Sequence, residues 1–501
     1  MAIIFLFIFV LYLTIIWYFA YPSYQKITLS EFSRKSYILS NISFSAPLLL
    51  PWLLLSGTSD IINILPFNFP KDFLSTTYGQ LSYFLVFLFI ISIFGPAIIQ
   101  KFWQCKPLEN SPQRKRIEDL CKKAEIGFSE ILDWPLLSGR MITAGVMGLI
   151  SKFRYILVTK ALLRFLEPEE IDAVIAHEIG HVKKHHLIFY LLFFSGYILF
   201  SYATFNLIVL LSIYLGPSFS YLLRTGISAA TITSTIITLF LVMNFIIYFR
   251  YIFGFFMRNF ERQADTYVYT FYNSAKPLIS TLNKISLTSG QSPSKPNWHH
   301  FSINERIEYL NKCESDRNWI NRQDSKIRQS ILIFCSGLIL IGILGYVLNF
   351  GQTGKALTAN VMETILIREL DSNPRDFNLY NALGDINYQK TNFPKTIQAY
   401  EKSLSIAMDN PHALNNLAWL YATCDHVEFR NPKRALELAL KAAQIRKEPH
   451  ILDTLAESYF VNNMYNEAVA TEMKALELAK ADRSHYEKQL IKYRKALTKS
   501  K

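Results

Sequence analysis

The chain has 501 residues, of which 51% are hydrophobic and 15% aromatic, with a formal net charge of +13. Both fractions are high for a soluble protein, and the positive charge fits basic residues flanking membrane segments. No aromatic-interleaved basic surface or known module supports nucleic-acid binding.

Apolar runs long enough to cross a bilayer occur at about 2–20, 78–99, 187–215, 227–254 and 330–349. A shorter sixth run, roughly 44–58, is interrupted by Pro47 and Pro51. The first run has neither a basic n-region nor a small-residue cleavage site, so it reads as an anchor. Six spans are expected. Lys26, Arg34 and Lys35 follow the first span, and Lys101, Lys106, Arg114, Lys115 and Arg116 follow the third. The loop at 59–77 carries only Lys71, and the turn near 216–226 only Arg224. The positive-inside rule then puts the first terminus outside and the stretch after 101 on the cytoplasmic side. By parity, everything after Phe350 lies on the opposite side.

Tyr155-Ile156-Leu157-Val158-Thr159 is β-branched and apolar and predicts a short strand. Gly139–Gly148 lies just upstream as a strand or loop. From Pro168 to His186 the pattern turns helical. Pro168 suits the first turn, Glu169, Glu170 and Asp172 suit the positive end of the dipole, and Ile171, Val174, Ile175, Ile179 and Val182 recur at 3–4 spacing.

This helix carries His177-Glu178-Ile179-Gly180-His181. At i and i+4 the two imidazoles share a face and can grip one Zn²⁺, while Glu178 can reach a metal-bound water. The competing reading is a polar helix end whose histidines point at solvent. His185 could be read as a further ligand, but Lys183, Lys184, His185 and His186 fit a basic collar at the membrane surface.

A third ligand must come from elsewhere, and Glu261 in Arg258–Asp265 is the best candidate. Glu261 and Asp265 stand at i and i+4, so one can ligate while the other accepts a hydrogen bond from a ligand imidazole. Ordinary charge pairing on a juxtamembrane helix is the alternative. Ser286–Asn297 reads as a Ser/Pro/Gly surface loop or a mobile cover. Cys105, Cys121, Cys313, Cys335 and Cys424 show no C-x-x-C spacing, against a disulfide scaffold or cysteine-ligated zinc. No G-x-S-x-G elbow supports a serine hydrolase.

From Asp371 to Leu497, internal repeats recur at roughly 34 residues with one insertion. L-Y-N-A-L-G-D-I-N-Y at 379–388, A-L-N-N-L-A-W-L-Y at 413–421 and I-L-D-T-L-A-E-S-Y at 451–459 are first helices. Second helices carry Phe393 and Tyr400, then Ala435 and Ala442, then Tyr465, Ala468 and Ala475. The pattern predicts three tetratricopeptide hairpins, a turn lengthened at 424–433 and a capping helix at 484–497. Such arrays bind peptides or protein partners.

A-H-E-I-G-H at 176–181, E-R-Q-A-D at 261–265 and F-R-Y-I-L-V-T-K-A-L-L at 153–163 together resemble the HtpX and CAAX-prenyl-protease family of membrane-embedded gluzincin metallopeptidases. The resemblance spans roughly 100–310 and implies zinc, one per subunit, on His177, His181 and Glu261. It implies Glu178 as general base and Asp265 as support. The family's H-P-x-x-x-x-R-[IL] element stands here as H-F-S-I-N-E-R-I at 300–307. His300 and Arg306 keep their spacing, and either is a candidate oxyanion donor, while Phe301 replaces the proline. The resemblance also suggests that the strand at 155–159 holds substrate as an edge strand.

The expected fold is mainly α: a multispan helical protein with a gluzincin-type α+β peptidase domain and a C-terminal α-solenoid. Its divisions are a transmembrane region at 1–100, a peptidase domain at 101–325 including spans 187–215 and 227–254, a helix at 326–350 and repeats at 351–501. The expected function is a zinc endopeptidase of a bacterial inner membrane, acting on membrane-associated or misfolded proteins. The alternatives are a processing peptidase for a lipidated or signal-type substrate, and a silent scaffold with structural zinc.

Overall fold

A computed structural model describes residues 2–28, 33–136, 141–215, 228–289, 292–479 and 483–499. They fall into two units, Met1–Tyr202 with Leu241–Gly342, and Ala203–Phe240 with Ile343–Lys501.

The first unit begins with helices α1 (Ala2–Thr28), α2 (Arg34–Ile64), α3 (Asn68–Ser75) and α4 (Thr77–Phe102). α1 packs on α2, and α2 and α3 pack on α4. A small sheet follows, made of β1 (Lys106–Pro107), β2 (Glu130–Asp133), β3 (Ala144–Met147) and β4 (Tyr155–Val158), in the order β1-β2-β4-β3. β2 and β4 run parallel, from Glu130 opposite Tyr155 to Asp133 opposite Val158. β3 is antiparallel to β4, from Ala144 opposite Val158 to Met147 opposite Tyr155. The predicted strand is therefore β4, but it lies inside the sheet, whose edge strands are β1 and β3. Gly139 and Arg140 lie outside the described residues. Gly148, which ends β3, has a φ of +111°, and a Cβ there would sit 2.1 Å from the Phe153 carbonyl oxygen, so only glycine fits the turn.

Helix α5 (Pro112–Lys123) connects β1 to β2, and Thr159 caps α6 (Lys160–Phe165). The motif helix α7 (Pro168–Lys183) opens on Pro168, with the Glu167 N–H donating to the Glu170 carboxylate at 2.8 Å. Its apolar stripe, Ile171, Ile175 and Ile179, is buried in a core shared with Ile117, Ile131 and Ile156. His185 then takes a left-handed conformation (φ +58°), which ends α7 and lets α8 (His186–Leu215) start in a new direction.

After α9 (Ala229–Ile247), a π-helical turn (Tyr248–Phe253) leads without a break into α10 (Gly254–Tyr267), which packs along α7. The remaining helices of this part are α11 (Lys276–Ser289), α12 (Ile303–Ser315) and α13 (Asn318–Phe350). The loop expected from Ser286 thus starts later, because 286–289 complete α11.

Among the described residues, five helical stretches are long and apolar enough to cross a membrane: Phe7–Lys26, Tyr78–Phe102, His186–Leu215, Thr231–Thr270 and Asn318–Phe350. The sixth expected run, 44–58, lies within α2, whose serines, asparagines and threonine dilute its apolar character. The fourth stretch extends past the expected end at 254, into the helix that carries Glu261.

In the second unit, α14 (Gln352–Ser372) precedes three helical hairpins: α15 (Phe377–Gln389) with α16 (Phe393–Ile406), α17 (Pro411–Thr423) with α18 (Pro432–Ile445), and α19 (Pro449–Val461) with α20 (Tyr465–Leu478). Helix α21 (Arg483–Lys499) packs on α20 as the cap. Ala435, Ala442, Ala468 and Ala475 are wholly buried, which lets the paired helices approach closely. Tyr400 fills the first hairpin, its hydroxyl donating to Asp385 at 2.5 Å. The result is a mainly α protein ending in an α-solenoid.

Candidate metal centre

α7 and α10 bring the predicted ligands together. His177 and His181 project from successive turns of α7 with their Nε2 atoms 3.3 Å apart. Glu261 on α10 places Oε2 3.5 Å from His177 Nε2 and Oε1 3.5 Å from His181 Nε2. Ligands at about 2.0–2.2 Å around a tetrahedral zinc stand roughly 3.3–3.5 Å from one another, and each imidazole meets that spacing with the other and with a different oxygen of Glu261, so the three residues can share one ion. Among the described residues these three form the one cluster of this kind.

The electrostatics also favour a cation. Burial opposes charge on His177, yet Asp265 and Glu261 overcome it and raise the imidazole to about 10. Burial lowers His181 to about 4, with the charge of Glu261 opposing. The carboxylates therefore stabilise one positive charge between the rings, where the metal would sit.

Glu178 points from α7 toward the sheet and accepts the Val146 N–H at 3.2 Å. Burial, eased by His177, raises its carboxyl to about 7. In the register of β3 with β4, the Val146 N–H is turned away from β4, so the candidate base sits between the cluster and the outer edge of β3.

Asp265 Oδ1 lies 2.9 Å from His177 Nδ1. Arg306 on α12 clamps the same carboxylate with two bonds, Nε to Oδ2 at 2.8 Å and Nη2 to Oδ1 at 2.6 Å. Spacing alone did not name this partner for Arg306. His300, half-buried, has Nδ1 3.1 Å from Glu261 Oε2, at the rim of the ligand set. Phe301, standing where the resembled element has proline, lies 3.9 Å from the Arg262 guanidinium, which also stacks on Tyr309.

The sequence reading missed His186. It is wholly buried, not part of a surface collar, and its Nδ1 is 3.0 Å from His181 Nδ1. Its ring stacks on Phe260 with centroids 4.3 Å apart. Its Nε2 is 3.1 Å from Gln263 Oε1, and Gln263 donates to Asp324 at 2.6 Å. His185, the other member of the expected collar, is exposed. No local pattern signals His186, because its place depends on the helix break at His185.

Fold and site together define the class: a helical chain with membrane-length segments and an H-E-x-x-H metal-ligand centre completed by a glutamate from a separate helix. Residues 107–314 match the family model described as Peptidase family M48. A 128-residue segment is 32% identical to CAAX prenyl protease 1 of Saccharomyces cerevisiae, covering 24% of this chain and 26% of that protein. The chain thus spans about a quarter of the length of the curated relative it matches. Among solved structures, it is similar to S. mikatae Ste24p (TM-score 0.39, 22% identity, covering 54% of this chain and 66% of that one). It is also similar to yeast Tom70 (TM-score 0.26, 12% identity, covering 92% and 89%).

Proposed function

We propose that the chain is a membrane zinc endopeptidase. The observation that carries this reading is a cluster of two histidines and a glutamate close enough to share one ion, with a carboxylate one residue from the first histidine bonded to the β3 edge. His177, His181 and Glu261 would hold Zn²⁺, which when bound supplies Lewis acidity toward a carbonyl and acidifies water. Glu178 takes the proton from the attacking water and delivers it to the leaving amine. Outward-facing groups of β3 hold the substrate backbone extended, which orients the scissile bond over the ligands. His300, beside Glu261, contacts the developing oxyanion in this reading. Asp265 fixes the His177 ring, and Arg306 fixes Asp265.

Membrane-associated or misfolded proteins are the substrates we favour, with the repeats recruiting substrate or a partner. We also place the protein in a bacterial inner membrane with the site on the cytoplasmic side. The likeness to a CAAX prenyl protease supports a second reading, a processing peptidase for a lipidated peptide. Cleavage of an unfolded protein against cleavage of a prenylated peptide separates the two. The decisive test of the chemistry is Glu178→Gln. Zinc content is expected to stay stoichiometric while hydrolysis falls by about 10²–10⁴-fold. Proteolysis at the wild-type rate would refute the base assignment.

A further inference from the structure

The contacts behind His181 form one unbroken polar chain. His181 Nδ1 faces His186 Nδ1 at 3.0 Å, and His186 Nε2 faces Gln263 Oε1 at 3.1 Å. Gln263 Nε2 then donates to Asp324 Oδ1 at 2.6 Å, and Lys184 Nζ donates to Asp324 Oδ2 at 2.6 Å. His186 and Gln263 are buried, so water offers them no alternative partner.

We infer that Asp324, on the polar first turns of α13, sets which nitrogen of the ligand His181 carries the proton. This rests on the zinc reading above. The direction of each bond follows from what each group can do. An ionised carboxylate only accepts, so Gln263 must turn its NH₂ to Asp324 and its carbonyl to His186. His186 must then carry its proton on Nε2, which leaves a lone pair on Nδ1. His181 can satisfy that lone pair only with a proton on its own Nδ1. Its Nε2 lone pair is therefore free and aimed at the metal position. Lys184 holds the far end, because its ammonium only donates. Asp324, Gln263, His186 and Lys184 are positioning residues; none reaches a substrate.

Asp324→Asn tests the polarity. Beside Lys184 the new amide keeps its oxygen toward the ammonium and turns its NH₂ to Gln263. Gln263 then flips, His186 shifts its proton to Nδ1, and two N–H groups meet at His181. The double variant Asp324→Asn/Gln263→Glu restores an acceptor-only group facing His186 and conserves net charge, while the Lys184–Asp324 ion pair stays broken.

The experiment is zinc affinity of full-length, detergent-purified protein by chelator competition, with a thermal melt of each metal-free variant. Asp324→Asn is expected to bind zinc about 10–100-fold more weakly, and the double variant to recover to within about threefold of wild type. Equal affinity for Asp324→Asn and wild type would overturn the inference alone. So would a double variant no better than the single one, because the ion pair rather than bond direction would then matter. Wild-type protein that binds no zinc would overturn the metal reading itself.

Discussion

Gly180, between the two histidines, lies close against α10, and Gly180→Ala tests whether that approach sets the metal geometry. A Cβ at this position would lie 2.8 Å from Tyr267 Cβ and 3.0 Å from Ala264 Cα. Neither atom is the end of a flexible side chain, so the helices must part by roughly half an ångström to reach ordinary contact. Ala264 stands three residues from Glu261, so the ligand moves with it, while metal–ligand distances tolerate only about 0.2 Å. Overpacking costs about 1–3 kcal/mol, and about 1 kcal/mol returns because alanine favours helix over glycine. Zinc affinity should therefore fall by about tenfold or more while stability changes little. Chelator competition reads the first and a melt of metal-free protein the second. Wild-type affinity in the variant would show that the His–Glu spacing does not depend on this contact.

Arg306→Met removes both bonds to Asp265 and leaves a carboxylate only 2% exposed without its guanidinium. Breaking such a buried pair is expected to cost about 3–5 kcal/mol, read as a lowered melting temperature; an unchanged melt would show that Asp265 has another cation. In the solenoid, Glu472 is wholly buried, and burial together with Asp453 pushes its carboxyl from 4.5 up to about 8. Below 4.5 both states hold the proton; between 4.5 and 8 only the folded state does, so stability falls as pH rises through that window and levels off above it. Glu472→Gln should flatten this slope and protect α20 and α21 at pH 8 in hydrogen exchange, and an unaltered slope would assign it to another group. Reporter fusions at Gly148 and Gly351 are expected on opposite sides of the membrane, because three membrane-length helices separate them in sequence. A same-side result would mean that one of the three does not cross.

The candidate metal-ligand cluster could be read from sequence because its geometry is local. Residues at i and i+4 share a helix face whatever surrounds them, and this holds for His177 with His181 and for Glu261 with Asp265. The repeats were legible for the same reason, since each hairpin recurs with its own small packers, as Ala435 and Ala468 show. What the sequence concealed depends on distant partners. β4 looks like a strand in any context, but its interior place follows from pairing with β2 and β3, which strand composition does not encode. Lys183 to His186 look basic and exposed, yet the left-handed residue His185 turns the next side chain inward against His181. Arg306 stands at its expected spacing, but only the packing of α12 on α10 shows which carboxylate it meets.

The π-helical turn at Tyr248–Phe253 explains how one continuous helix serves both the apolar stretch and the metal centre. A residue advances an α-helix by about 100°, so a single inserted residue rotates everything beyond it by roughly that angle. Past the turn, the buried residues of α10 include Glu261, Ala264 and Asp265, and the helix packs along α7. Without the insertion, Glu261 would rotate away from α7, and Arg262 would take its place. The turn thus reconciles two demands that one regular helix cannot meet, an apolar surface through residue 247 and a polar, α7-facing stripe from 261. Deleting one residue within 248–253 should therefore abolish zinc binding while the protein stays helical by circular dichroism. Retained stoichiometric zinc would show that Glu261 reaches the site without this rotation.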